Sequence, residues 1–112
     1  LLRRARSIAT LNAAAESFGW ETRPSPNPQI SEPGSPFVTG RGLGYTFRNG
    51  TVVALIAEVE VNRTTGHIWV KRLVCGHDCG LVINPAGLSH TVECGILHSL
   101  SRALWEEVRF DN

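Results

Sequence analysis

Between Val74 and Pro85 the chain leaves an apolar strand, turns through a glycine-flanked polar corner (Gly76-His77-Asp78-Cys79-Gly80), and reaches Asn84-Pro85 by way of Leu81-Val82-Ile83. Asn84-Pro85 reads as a helix start, because Asn caps exposed N–H groups and the fixed φ of proline suits the first helical position. One short segment thus commits the chain to a strand that ends, a tight corner and a helix that begins. Leu88, Val92, Ile96, Ser99, Leu100, Ala103 and Leu104 then recur as a stripe of the kind that packs on a sheet. Trp105 and the Glu106-Glu107 pair end this helix, and Val108-Arg109-Phe110 reads as the start of a further strand.

Upstream of the corner the apolar period is two. Val53, Leu55, Ala57, Val59 and Val61 line one face of a strand; Val52, Ala54 and Ile56 line the other until Glu58 and Glu60 replace them. Such a strand is buried on both sides at its start and wetter at its end. Asn62-Arg63-Thr64-Thr65-Gly66 reads as a tight hairpin, with Gly66 free to take a positive φ and Asn62 able to bond its own turn. Ile68 to Cys75 returns as a strand rich in β-branched and aromatic residues, and Gly40 to Arg48, with Tyr45 and Phe47, adds a third. The expected fold is α+β: an antiparallel β-meander with a long helix packed on it, preceded by an N-terminal helix.

That first helix is predicted over residues 2–18. Leu1, Ala5, Ile8, Leu11, Ala15 and Phe18 recur at helical spacing, Ala13-Ala14-Ala15 favours helix, and Gly19 is a natural stop. Its stripe is expected to face a core supplied elsewhere, which makes it a surface meant for a partner. Five of the six prolines (Pro24, Pro26, Pro28, Pro33, Pro36) fall between residues 20 and 39, a density that neither helix nor central strand tolerates. The expected organisation is therefore residues 1–19 as the N-terminal helix of a truncated domain, 20–39 as a proline-rich linker, and 40–112 as a second domain fragment. The chain has no Met, opens on Leu1-Leu2-Arg3-Arg4 already in helical rhythm, and stops just after Val108-Arg109-Phe110, all of which reads as a piece of a longer subunit.

A net charge of +1 without a basic stripe argues against a nucleic-acid partner. No apolar stretch approaches the roughly 20 residues of a membrane span. Three cysteines, odd in number and unlike a secreted disulfide framework, are expected to be free thiols packed as small apolar groups in a reducing compartment.

Glu93 draws attention because a helical wheel places it beside Ile96, Leu97, Leu100 and Leu104, where burial would tend to raise its pKa. It is either an edge carboxylate reaching water or an Arg, or one that orients a loop facing a cofactor. Gly95 beside it leaves room for another backbone. The His77-Asp78-Cys79-Gly80 corner reads first as structure: Asp78 bonding local N–H groups, Cys79 buried, Gly80 supplying an unusual dihedral. Its backbone is still placed where strand ends often meet ligands. His90, Cys94 and His98 fall on one helical face four residues apart, a spacing that can offer ligands to zinc, with Cys75 or Cys79 as a fourth. That spacing matches no standard zinc module, and no metal site is expected. Gly40-Arg41-Gly42-Leu43-Gly44 lacks the later glycine and the preceding strand of a dinucleotide loop, so its glycines are expected in an edge strand or at a bulge. No Ser-His-Asp or Cys-His relay can be assembled.

In order and spacing, the run from Val74 to Gly95 resembles the molybdopterin-binding large subunit of the xanthine dehydrogenase and aldehyde oxidase family. There a strand ends in a Val/His-Asp-Cys-Gly corner and passes through Asn-Pro into a Gln-x-Glu-Gly-Gly helix. Further likenesses are the Ala-rich helix ending Phe18-Gly19-Trp20, Gly40-Arg41-Gly42, Ala57-Glu58-Val59-Glu60-Val61 through Gly66, and the closing Leu100 to Glu107. Among relatives the chain is most similar to the stand-alone large subunits of isoquinoline, nicotinate and aldehyde oxidoreductases. The resemblance implies an oxidoreductase that hydroxylates an aldehyde or N-heteroaromatic carbon with water-derived oxygen. Its electrons would pass to iron–sulfur clusters on a partner subunit or domain. It implies partners in the remainder of its own large subunit and a small-molecule substrate, in the cytoplasm or the periplasm. It places Thr91, Glu93, Cys94 and Gly95 next to the molybdopterin. Thr91 stands where the family has Gln, and Cys94 where it has Gly or Asn, which leaves a non-catalytic interaction domain as one alternative; the His90/Cys94/His98 face leaves a small zinc-stabilised module as the other. The family's catalytic Glu lies in a later glycine-rich segment, so no catalytic residue is expected among these 112 and the fragment alone is expected to be inactive.

Overall fold

The computed structural model describes residues 4–25, 27 and 34–111. Leu1 of the predicted helical stripe, and Pro26, Pro28 and Pro33 of the linker, lie outside the described residues. The chain forms two compact units, Leu1–Gly80 and Leu81–Asn112.

The first unit contains helix α1 (Ala5–Phe18) and strands β1 (Phe37–Arg48), β2 (Thr51–Asn62) and β3 (Ile68–Asp78). The strands form one antiparallel sheet in the order β1-β2-β3. Both connections are tight hairpins set by local chemistry. Asn49 and Gly50 carry φ of 50° and 81° between the paired residues Arg48 and Thr51, as a two-residue turn with left-handed centres requires. At the second turn Asn62 Oδ1 accepts from the N–H groups of Thr64 (2.9 Å) and Thr65 (3.2 Å), and Gly66 takes a φ of 75°. The irregularity in the ladder lies at Glu58/Val59 against β3, where Lys71 is left without an opposite residue. The glycines of Gly40-Arg41-Gly42-Leu43-Gly44 sit in the regular register of edge strand β1, with no bulge.

Helix α1 covers one face of this sheet, and the core is Ala14, Phe18, Ala54 and Ile56, with Leu11, Ala15 and Val74 packed against it. The expectation that α1 faces a core supplied elsewhere is therefore corrected: the chain's own sheet supplies it. The buried line of the helix also differs from the predicted one. Ser7, Thr10, Ala14 and Phe18 are buried, whereas Ala5 and Ile8 are exposed. The reason is close approach. A Cβ added to Gly76 of β3 would lie 2.7 Å from the Thr10 carbonyl oxygen and 3.2 Å from Ala14 Cβ, so helix and strand meet where both carry their smallest groups. The polar members of that line are satisfied: Tyr45 OH donates to Ser7 Oγ at 2.8 Å, and Thr10 Oγ1 donates to the Arg6 carbonyl at 2.8 Å.

Gly19 stops α1 as expected, with φ 73°, its N–H on the Glu16 carbonyl and the Trp20 N–H on the Ala15 carbonyl. Across β2 the α1-side residues Val52, Ala54 and Ile56 are fully buried, while Val53, Leu55 and Ala57 on the other side are half-buried.

The second unit is helix α2 (Pro85–Leu104) with its flanking segments. Asn84 caps it, accepting from the Gly87 N–H at 3.0 Å with Pro85 in the first turn. Leu88, Val92, Ile96, Leu100 and Leu104 form a half-buried line, but no residue of α2 is buried. Within the first unit it is α1 that packs on the meander. The expected strand at Val108-Arg109-Phe110 does not form; Val108 and Phe110 are 77% and 88% exposed, and among the described residues no strand pairs with them. Among the described residues no helix is long and apolar enough to cross a membrane.

Candidate functional site

Two places carry the residues singled out from sequence: the corner at the end of β3 and the middle of α2. The corner is built around one carboxylate. Arg6, in the first turn of α1, donates through Nε to Asp78 Oδ2 at 2.8 Å and through a terminal nitrogen to Oδ1 at 2.6 Å. The same nitrogen lies 3.5 Å from the Asp78 carbonyl oxygen. Asp78 Oδ1 also accepts from the Gly80 N–H at 3.0 Å, and Gly80 has φ 86°. The Arg6 hydrogen bonds, seconded by the Gly80 N–H, hold the Asp78 carboxyl down at about 2, and Asp78 in turn raises the Arg6 pKa. Asp78 does bond local backbone as expected. Its partnership with Arg6, far away in sequence, was not foreseen. One signal was present: a basic residue in a helical first turn with no acidic neighbour runs against the helix dipole, so it has another use.

Cys79 is exposed rather than buried, and so is Cys94; only Cys75 is half-buried, where burial pushes its thiol pKa up. The expectation of three packed thiols is corrected accordingly: the corner turns Cys79 outward, and Cys94 lies off the half-buried line of α2. His77 is half-buried, with Nδ1 enclosed and without a hydrogen-bond partner.

On α2, Thr91, Glu93, Cys94 and Gly95 are all exposed. Thr91 Oγ1 donates to the Gly87 carbonyl at 2.8 Å, a bond within the helix that occupies its only proton. Glu93 lies off the half-buried line, exposed, and accepts from Ser89 Oγ at 3.2 Å, which is the edge carboxylate of the two sequence readings. A Cβ at Gly95 would meet nothing within 4 Å. Cys94 Sγ lies 3.6 Å from His90 Nε2, but among the described residues no three His, Cys, Asp or Glu side chains converge on a point where a metal ion could sit.

Known proteins share this sequence along nearly its whole length. The family model described as "Molybdopterin cofactor-binding domain" matches residues 3–112. The chain is 32% identical over 95% of its length to a nicotinate dehydrogenase subunit of Pseudomonas putida. It is 33% identical over 93% to the beta subunit of isoquinoline 1-oxidoreductase from Brevundimonas diminuta. It is 30% identical over 96% to the nicotine 6-hydroxylase large subunit of Paenarthrobacter nicotinovorans. The chain spans only 9%, 12% and 13% of those three proteins. No solved structure matches it significantly. The chain, with its Asp-Cys-Gly corner and Asn-Pro helix start, thus belongs to the molybdopterin cofactor-binding domain family, as found in large subunits of the xanthine dehydrogenase and aldehyde oxidase group.

Proposed function

We propose that the chain is part of a molybdenum hydroxylase large subunit that oxidises a ring carbon of an N-heteroaromatic substrate, with aldehydes as the second substrate class. The observation that carries this reading is the family match across residues 3–112. The names of the three relatives, which specify nicotinate, isoquinoline and nicotine, support the substrate class. In such a reaction a C–H bond and water become C–OH, with release of two protons and two electrons. When bound, the molybdopterin-held molybdenum would supply the two-electron oxidation and the water-derived oxygen; iron–sulfur clusters on a partner subunit or domain would carry the electrons away.

In this reading α2 is the helix that comes near the cofactor, and Glu93 and Gly95 are the positions that fit it best. The open space at Gly95 allows a planar pterin or another backbone to approach. The Glu93 carboxylate keeps acceptor capacity beyond its bond to Ser89. Cys94, between them in sequence, adds an exposed thiol. Thr91 fits less well, since its hydroxyl proton is already committed to Gly87. None of these residues is assigned to the chemical step, and residues 1–112 alone would be inactive.

The test is to purify the intact subunit with its electron-accepting partner and measure three things: molybdenum, pterin, and hydroxylation of nicotinate, isoquinoline and benzaldehyde in ¹⁸O-labelled water. Stoichiometric molybdenum with label entering an N-heterocyclic product is the expected result. Absence of molybdenum and pterin from the intact complex would overturn the proposal and leave the non-catalytic interaction domain standing.

A further inference from the structure

We infer that Arg6 is a positioning residue for the Cys79-Gly80 corner, acting through Asp78. The geometry points to a tether rather than a decorative surface pair. Both carboxylate oxygens are engaged by two different guanidinium nitrogens, at 2.8 and 2.6 Å, and the pair joins residues 72 apart in sequence. Two parallel bonds to one planar group restrict its rotation, which a single contact does not. The restricted carboxylate then reaches forward: Oδ1 also receives the Gly80 N–H at 3.0 Å, at a residue with φ 86°. Gly80 is the last residue of the first compact unit. One side chain therefore links the first turn of α1, the last residue of β3 and the point where the chain leaves the sheet.

Leu81 and Ile83 are 89% and 91% exposed, and residues 79–84 form neither helix nor strand. Regular structure resumes at Pro85. Arg6 is also poorly placed for any purpose inside α1, because a cation in the first turn opposes the helix dipole and α1 has no acidic residue there. Asp78 supplies from β3 the negative charge that this helix end lacks. The tether stands independently of the proposed function; its consequence for cofactor binding rests on that reading.

The experiment uses the intact subunit and compares wild type, Arg6→Met, Arg6→Lys, Asp78→Asn and the charge swap Arg6→Asp with Asp78→Arg. Amide hydrogen exchange is followed over residues 76–84, alongside the alkylation rate of Cys79 with that of Cys94 as internal reference. Arg6→Met and Asp78→Asn should each speed exchange of the Gly80 amide and Cys79 alkylation by roughly threefold to tenfold. Exchange in β2 and in α1 beyond its first turn should be unchanged. Arg6→Lys should recover only part, because an ammonium cannot span both oxygens, and the charge swap should not restore protection at Gly80, because an arginine at position 78 has no acceptor for the Gly80 N–H. Unchanged exchange at Gly80, or loss spread evenly over α1 and the sheet, would overturn the proposal. Molybdopterin content of the same samples reports separately: a loosened corner with full cofactor content upholds the tether and leaves the proposed function as it stands.

Discussion

Replacing Gly76 by Ala tests the packing that creates the fold's main interface. The added Cβ would sit 2.7 Å from the Thr10 carbonyl oxygen and 3.2 Å from both Thr10 Cγ2 and Ala14 Cβ. A relaxed carbon–oxygen contact needs about 3.3 Å, so helix and strand must separate by roughly 0.6 Å. The carbonyl cannot rotate away, because it belongs to the middle turn of α1. Overpacking of this kind costs about 1–3 kcal/mol. In a unit of this size each kcal/mol lowers Tm by about 4–8 °C, so a mid-range cost moves Tm by about 10 °C. The loss is a large part of the total, since such units are stable by only about 0.05–0.15 kcal/mol per residue.

Thermal unfolding followed by far-UV circular dichroism reads this directly, with Gly42→Ala as the control. Gly42 is also a strand glycine, but a Cβ there meets nothing within 4 Å and its φ is not positive. That substitution removes the entropic cost of glycine and should be neutral or stabilising by about 0.5 kcal/mol. A Gly76→Ala variant no less stable than Gly42→Ala would refute the argument that small groups set the distance between α1 and β3.

The Asp78 carboxyl, lowered from 3.8 to about 2, contributes stability that is fully present above pH 3.8 and lost as pH falls through about 2; Asp78→Asn should remove that acid-side slope, and an unchanged acid titration would contradict the assignment. The buried Ser7 Oγ and Tyr45 OH should be coupled: Ser7→Ala and Tyr45→Phe each cost about 1–2 kcal/mol, while the double variant costs less than their sum in a denaturant cycle. Ile56→Ala, at a side chain with no exposure, should cost about 2–5 kcal/mol by urea titration. Zinc added to metal-free protein should leave Tm unchanged; a rise that depends on His90 and Cys94 would revive the zinc-module alternative.

What could be read from sequence was whatever local chemistry decides. Gly19, Asn62, Gly66, Asn84 and Pro85 act within a few residues of themselves, and each does in space what its type requires. Asn49-Gly50 is of the same kind, a local turn signal that the apolar period of the flanking strands leaves unused. The face of α1 was harder, because an apolar count favours Ala5 and Ile8 over Ser7 and Thr10. Once Gly76 draws the helix close, small size matters more than hydropathy, and the polar atoms thus buried find partners. The strand read into Val108-Arg109-Phe110 failed for a related reason: β-propensity in a short segment needs an edge to pair with. The exposure of Cys79, Glu93 and Cys94 depends on which side of an element faces the core. For α2 the apolar period predicted the half-buried line and left Glu93 only at its border.

The contacts between α1 and β3 have a common logic. Helix α1 has no acidic residue in its first turn and no basic residue in its last, so its dipole is unmatched by its own sequence. Strand β3 supplies both charges. Asp78 meets the helix start through Arg6. At the other end Arg72 donates to the carbonyls of Phe18 (3.0 Å) and Ser17 (2.8 Å), with its guanidinium 4.9 Å from the Phe18 ring centroid. Gly76 lies between them and lets the backbones close. These three positions are spaced along one strand and fix the helix at its start, middle and end, so neither sliding nor rotation preserves all three. The interface is thereby specified by position as well as by apolar area. A small-residue helix face that buries few large side chains needs that specification.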